Sequence, residues 1–311
     1  MIRIGLVNID TSHPLAFART LHQGDRARFV GVYNDGFRGD DEVDAFIKNF
    51  GLEERYTSLD ALADDVDVAI VNDVNWDTHL EHALPFLKKG KPVFIDKPFV
   101  GKFSDCLALE KLAAEGAIIL GSSSMRYTKE VDTFLAKPES ERGKLLSVYG
   151  VCGVDEFNYG IHTVEQIGSI LGTGALSATF IGRAESDGIP AETFFVKYAN
   201  GTTATYTLCH GPSQPFGLIA VTTKSTFPLF PNLSNIYESM LDRFCDTIES
   251  GAKGLATVEA LTESVKILLA GRISREKGGE VQLTDIPIND PGYDGAEFAR
   301  GYAAESGKIY L

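Results

Sequence analysis

The sequence predicts an α/β protein in which a doubly wound parallel sheet is followed by a second α/β domain built on an open, mainly antiparallel sheet. Three observations carry this expectation. Short apolar runs alternate with helical patterns from residue 1 to about 121; the first run, "IRIGLV", stops at a polar cluster that gives way to a helix; and the later half turns to β-rich runs, of which "ETFFVKYANGTTATYTLC" is the clearest. Domains are therefore expected over 1–121 and 122–311.

In the first domain, strands are expected at 2–8, 28–34, 66–72, 91–95 and 117–121, with helices near 14–23, 40–50, 59–64, 78–89 and 104–115. Their ends are punctuated by recognisable signals. Pro14 suits an early helical position, Thr78 and Glu81 have capping-box spacing, Ser104 can cap, and Gly24, Gly51, Gly90 and Gly116 follow helices. Beyond 122 the pattern predicts a helix at 128–136, a strand at 144–151, a helix at 160–171, and late helices near 234–250 and 257–272. Asn200-Gly201 can supply the positive φ angles of a tight hairpin. The stretch after Pro287, "NDPGYDGAEFARGY" included, is rich in turn formers and has no assigned element.

With 311 residues and 44% hydrophobic content, the chain can build two real cores. A formal net charge of -14 with no dense basic block argues against nucleic acid or anionic membrane as partner, since a phosphate surface needs a clustered positive field. Cys106, Cys152, Cys209 and Cys245 lie far apart, so neither a disulfide framework nor a zinc ribbon is read from them. Met1 leads straight into a strand, no basic segment precedes an apolar one, and no stretch approaches the ~20 apolar residues of a membrane span. A cytoplasmic location is expected.

The chemistry begins at "GLVNIDTSHPLAF", residues 5–17. A strand feeding a helix through a tight turn can hold a diphosphate on helix amides, but a Gly-x-Gly-x-x-Gly frame puts Asn8, Asp10 and His13 at the glycine positions. Asn8 tolerates a left-handed backbone; a carboxylate at 10 repels a diphosphate and an imidazole at 13 adds bulk. Asp10, Thr11 and Ser12 forming only a turn and a helix cap is an equal alternative. After the second strand, Asn34, Asp35 and Arg38 stand where a ribose or a 2′-phosphate would be met, though taken alone this segment is better explained by an Asp-Gly turn with a solvated arginine. His79 and His82 lie three apart on one helix, yet further metal ligands have no source in the spacing, so helix-surface or capping roles are expected and no metal.

Residues 71–99, "VNDVNWDTHLEHALPFLKKGKPVFIDKPF", resemble the glucose-fructose oxidoreductase and inositol dehydrogenase family (Gfo/Idh/MocA). Asn75, His79, Gly90, Lys91, Val93 and the trio Asp96-Lys97-Pro98 match its layout, with Asp96 replacing the usual Glu. In "EFNYGIHTVEQIGSILG", 156–172, His162 matches the family's catalytic histidine and Glu165 the later acid, while Asn158 stands where an Asp is common.

The resemblance implies a Rossmann-like first domain and an oxidoreductase that moves hydride between NAD or NADP and a sugar, polyol or related small hydroxyl compound. Lys97 would polarise the substrate oxygen, His162 would move its proton and Asn158 would orient that group. The cofactor would lie over Asn8, Asp10, Thr11, Ser12 and His13, Asn34, Asp35 and Arg38, the loop of Asp73, Asn75 and Trp76, and His79, Asp96 and Lys97. Arg126, Tyr127 and His210 could bind substrate hydroxyl or carboxylate groups. A homo-dimer or homo-tetramer, joined through the second-domain sheet, is the implied assembly. Two rivals stay open: a non-redox binding or regulatory protein that has lost the cofactor, and a lyase or hydrolase in which Asp10 and His13 point into the cavity beside Lys97.

Overall fold

The computed structural model describes every residue except Ser122, which lies at the expected domain boundary. The first domain runs β1 (Ile2–Val7), α1 (His13–Leu21), β2 (Ala27–Tyr33), α2 (Asp40–Phe50), β3 (Glu54–Tyr56), α3 (Leu59–Asp65), β4 (Val68–Val71), α4 (His79–Lys88), β5 (Val93–Ile95), α5 (Phe103–Ala114) and β6 (Ile119–Gly121). Its six strands pair in the order β3-β2-β1-β4-β5-β6, every described pair parallel. Helices cover both faces, so β4 is buried at all four positions and reads as an unbroken apolar run. Strand order reverses between β1 and β4, and there the loops at the strands' carboxyl ends part to form a crevice.

The second half runs α6 (Lys129–Ala136), α7 (Glu139–Arg142), β7 (Leu145–Val154), α8 (Gly160–Leu171), β8 (Ala175–Ser186), β9 (Ile189–Tyr198), β10 (Thr203–His210), β11 (Gly217–Thr222), β12 (Thr226–Leu229), α9 (Glu238–Ser250), α10 (Val258–Lys277), β13 (Glu280–Gln282) and α11 (Gly295–Glu305). Its sheet has the order β12-β11-β7-β10-β9-β8-β13, antiparallel except where β10 meets β7. Helices α8 and α10 pack on one face, while Leu146, Tyr149 and Ile181 are exposed. Helix α9 returns to the first domain: Met240, Leu241 and Phe244 join the core beneath α1, and Arg26 reaches Asp246 and Glu249 at 2.6 and 2.7 Å.

Several local signals work differently from expectation. The expected helices and strands appear with ends shifted by a few residues, and α2 and α8 match as predicted. Thr78 makes no side-chain cap; its hydroxyl instead donates to Asp73 and to the Asn75 carbonyl. Ser104 lies inside α5, after an N-cap at Lys102. In the β9–β10 hairpin only Gly201 is left-handed, with φ 84°; the Asn200 side chain accepts from the Thr202 amide at 3.0 Å, giving a longer loop than a two-residue turn. The stretch after Pro287 holds a helix, α11, capped by Asp294. No helix among the described residues is long and apolar enough to cross a membrane.

Candidate active site and the groove beside it

Where β1, β4 and β5 end, the loops after them meet the start of α8 and enclose a cavity of about 100 Å³. Thr11, Ser12, His13, Asp73, Asp96 and Lys97 line it from the first domain, Asn158 and Tyr159 from the second, and Tyr302 of α11 closes it. The Lys97 ammonium donates to Asn158 Oδ1 at 2.8 Å and sits 5.9 Å from the centre of the Tyr159 ring. Enclosure lowers the Lys97 pKa, because desolvation disfavours the cation, and the charges of Asp96, Asp155 and Glu165 oppose that fall. The result is a poorly hydrated ammonium, able to bind and polarise an oxygen placed beside it.

His13 forms the second wall. Its Nδ1 lies 2.5 Å from Asp96 Oδ2, and the ring is held by Phe17 and by the edge of Tyr237. Asp96 is buried, which alone would raise its pKa, yet His13 and Lys97 outweigh burial and hold it below the usual carboxylate range. It also accepts from Asn72 and from the Lys97 amide, each at 2.8 Å. An ionised carboxylate only accepts, so His13 Nδ1 must donate, and Nε2 is the nitrogen that can exchange a proton. Two departures from the family pattern, His13 for glycine and Asp96 for Glu, thus meet in one contact.

His162 does not line this cavity. Its Nδ1 pairs with Ser123 Oγ at 2.6 Å, and its ring meets Tyr159 and Phe216 edge-on. Burial, aided by the charges of Lys97 and His13, lowers its pKa well below the ordinary value and keeps it neutral. Behind it the Ser123 amide donates to Glu165 at 2.9 Å, and Glu165 pairs with Arg126 at 2.7 Å.

The residues expected to bind substrate lie elsewhere. Arg126 is buried, donating to Glu165, Ser264 and the Ala260 carbonyl, because α8 and α10 close over it. The Tyr127 hydroxyl accepts from the Ala256 amide at 2.8 Å, and Arg243 covers the ring. His210 meets Glu192 on the sheet at 3.2 Å. None of the three reaches the cavity.

A groove runs from that cavity along the strand ends between β2 and α4. Asn8 has φ 62°, as the first glycine of a nucleotide turn would, and its side chain accepts from the Asp35 and Gly36 amides. Asp10 caps no helix: its carboxylate accepts from the amides of Phe37 and Val74 at 3.1 and 3.2 Å, bridging the loops after β2 and β4. A Cβ on Gly36 would lie 2.0 Å from Asp10 Oδ1, so only glycine allows that approach. Asn34 pins the same loops through Ile9 and Arg38, and Asp35 and Asp73 line the groove.

Asn75 accepts from the Asp77 amide. Trp76 is buried against Phe157 and Phe298, its indole donating to the Tyr293 carbonyl at 2.7 Å. His79 is fully buried with both ring nitrogens bound to carbonyl oxygens of Phe99 and Asp73, so it holds loops together and touches no ligand space. His82, expected on the surface, is buried with its Nδ1 2.8 Å from Asp73. Burial lowers the His82 pKa but Asp73 and Asp35 outweigh it and raise the value. Sequence reasoning missed Ser123, Tyr159 and Tyr302; the last lies far along the chain and carried no local signal.

Burial pushes the Asp10 carboxyl up to about 6, despite its two amide donors. A carboxyl whose pKa rises on folding binds its proton more tightly in the native state, so its contribution is full below about pH 4 and is lost as pH rises through about 6. Wild-type stability, measured by urea midpoints and compared with Asp10→Asn, should lose on the order of 2–3 kcal/mol relative to the variant between those limits. A parallel pH dependence in the two proteins would contradict this account.

The fold and the site together define a two-domain α/β protein with a Rossmann domain, a polar cavity at the domain junction and an adjoining strand-end groove. Residues 4–122 match the model of the Gfo/Idh/MocA family, described as an oxidoreductase family with an NAD-binding Rossmann fold. No curated protein matches the chain by sequence. Among solved structures it is similar to a "probable dehydrogenase" from Thermotoga maritima, with TM-score 0.80, 15% identity, and coverage of 92% of this chain and 100% of that one. It is also similar to apo scyllo-inositol dehydrogenase from Lactobacillus casei, with TM-score 0.79, 15% identity, and coverage of 92% and 99%. A third similar structure is myo-inositol dehydrogenase from the same organism in complex with NAD(H) and myo-inositol, with TM-score 0.78, 14% identity, and coverage of 94% and 98%. At these identities the likeness shows the fold.

NAD is the cofactor that the matched family's description names. With α11 seated against it, the groove does not admit a dinucleotide. Asp10 takes two of the amides at the crevice, Asp35 and Asp73 add negative charge, and Ala299, Arg300 and Ala303 of α11 form the opposite wall.

Proposed function

We propose that this protein is an oxidoreductase of the NAD-binding class whose substrate is a small hydroxyl compound, a sugar or polyol, seated in the cavity at Lys97. The observation that carries this reading is the Lys97 ammonium fixed at 2.8 Å from Asn158 Oδ1 on the wall of a polar cavity shared with the His13–Asp96 pair. Lys97 binds the reacting oxygen and stabilises negative charge on it. His13, with Nδ1 committed to Asp96, takes or returns the hydroxyl proton at Nε2. Asn158 holds the ammonium toward the cavity. Neutral His162, set behind Tyr159 and Asn158, supports the second-domain wall and is the family-matched alternative for proton transfer.

The test is incubation of the full chain with NAD or NADP and a set of polyols and sugars, myo-inositol among them, followed by nicotinamide absorbance. Accumulation of reduced nicotinamide with one class of substrate supports the reading; none with any substrate, for the full chain or for a variant with the groove opened, overturns it. His13→Gln should lower kcat by about 10²- to 10⁴-fold with KM little changed. Unchanged kcat in His13→Gln with a loss in His162→Gln would move the proton step to His162. A second reading, a lyase or hydrolase, draws on the placement of His13 beside Lys97; it requires product formation that depends on both residues and leaves the nicotinamide unchanged.

A further inference from the structure

We propose that residues 295–311 are a built-in occupant of the dinucleotide groove, which a nucleotide must displace in order to bind. This rests on the NAD-binding reading above. Helix α11 turns one face to the Rossmann loops at the three- and four-residue spacing of a helix: Phe298 packs on Trp76 with centroids 4.8 Å apart, and Tyr302 meets Phe37 at 6.0 Å. Ala299 and Ala303, on the same side, let the helix approach the groove closely. Its first turn is tied down by Asp77, which accepts from the amides of Gly295 and Ala296 at 3.1 and 3.3 Å.

The tail beyond α11 takes the position at the end of β2 where a nucleotide ribose or its phosphate would be met. Arg38 donates to Ser306 Oγ at 2.6 Å and to the Gly307 carbonyl at 2.8 Å, while its Nε donates to the Asp10 carbonyl at 3.0 Å. Tyr310 is buried against Phe46, and its hydroxyl donates to the Thr11 carbonyl in the β1–α1 turn. The same arginine thus serves the chain's own carboxyl-terminal segment.

The segment is also a unit that can leave. Within α11 only Gly295 is buried, and the segment is held mainly by three ring contacts, Phe298 on Trp76, Tyr302 on Phe37 and Tyr310 on Phe46, so its local opening costs less than global unfolding. If the groove is open in only a small fraction of molecules, apparent nucleotide affinity falls by that fraction.

The experiment compares NADH and NADPH binding, followed by nicotinamide fluorescence, in the full chain, in a chain ending at Asp294, and in Gly295→Leu. The leucine variant acts as a wedge, because a Cβ at Gly295 would lie 2.5 Å from Asn75 Oδ1 and 2.9 Å from the Asp77 amide. Circular dichroism and thermal melting establish that each variant is folded. Hydrogen exchange on the full chain, which needs no variant, follows residues 295–311 with and without nucleotide. Binding tightened at least tenfold by truncation or by the wedge, with faster exchange in 295–311 when nucleotide binds the full chain, is the expected result. Equal affinity in all forms, or nucleotide bound while 295–311 stays protected, overturns the proposal and leaves the oxidoreductase reading standing. No binding in any folded form overturns both.

Discussion

Replacing Lys97 with Met should reduce turnover by about 10²- to 10³-fold while leaving the fold intact. The side chain's length is kept, but the ammonium proposed to bind and polarise the substrate oxygen is gone. The protein should tolerate this change, because burial lowers the Lys97 pKa and the cation is held in an environment that disfavours it. Asn158 then keeps its bond to Asp155, although at 3.5 Å that contact is long. A loss shared by kcat and kcat/KM would place the interaction in the transition state, whereas a rise in KM alone would place it in substrate binding. Thermal melting of the same sample separates either result from unfolding, and full activity in Lys97→Met would remove Lys97 from the mechanism.

Arg126→Leu should have the largest effect on stability, a loss of about 3–5 kcal/mol, because it removes the guanidinium from a carboxylate that is itself shielded from solvent. Arg126 and Glu165 have side chains only 4% and 1% exposed and meet at 2.7 Å. The double variant Arg126→Leu with Glu165→Leu should recover much of that loss, since two apolar groups of similar volume need no charge partner. The pair also bears on the site, as Glu165 accepts from the Ser123 amide and the Ser123 hydroxyl contacts His162. Urea midpoints of the two single variants and the double variant measure the coupling directly. Single-variant losses within about 0.5 kcal/mol of wild type would show that the pair is not the support described here.

The correction at Arg126 shows where sequence reasoning runs short. A cationic residue opening the second domain beside a tyrosine reads as a substrate contact, and nothing in its neighbours reveals that α10, more than a hundred residues later, supplies Ser264 and the Ala260 carbonyl to hold it. His79 and His82 failed for the same reason: their partners, Phe99 and Asp73, become neighbours only when the strand-end loops converge. Lys97 and Asn158 were legible because short motifs carried them, and their separation of 61 positions closes to a 2.8 Å hydrogen bond across the domain junction.

The sequence by itself determined the alternation of elements, the change from parallel to mainly antiparallel sheet, and the motif that names Lys97, since helix and strand periodicity, turn residues and caps act over a few positions. Tertiary structure alone decided that Asp10 fills the crevice where a phosphate was expected, that His13 faces the cavity through its bond to Asp96, and that a carboxyl-terminal helix lies in the groove. Each of those outcomes depends on desolvation and on hydrogen-bond partners brought from distant parts of the chain, and such partners have no sequence period to betray them.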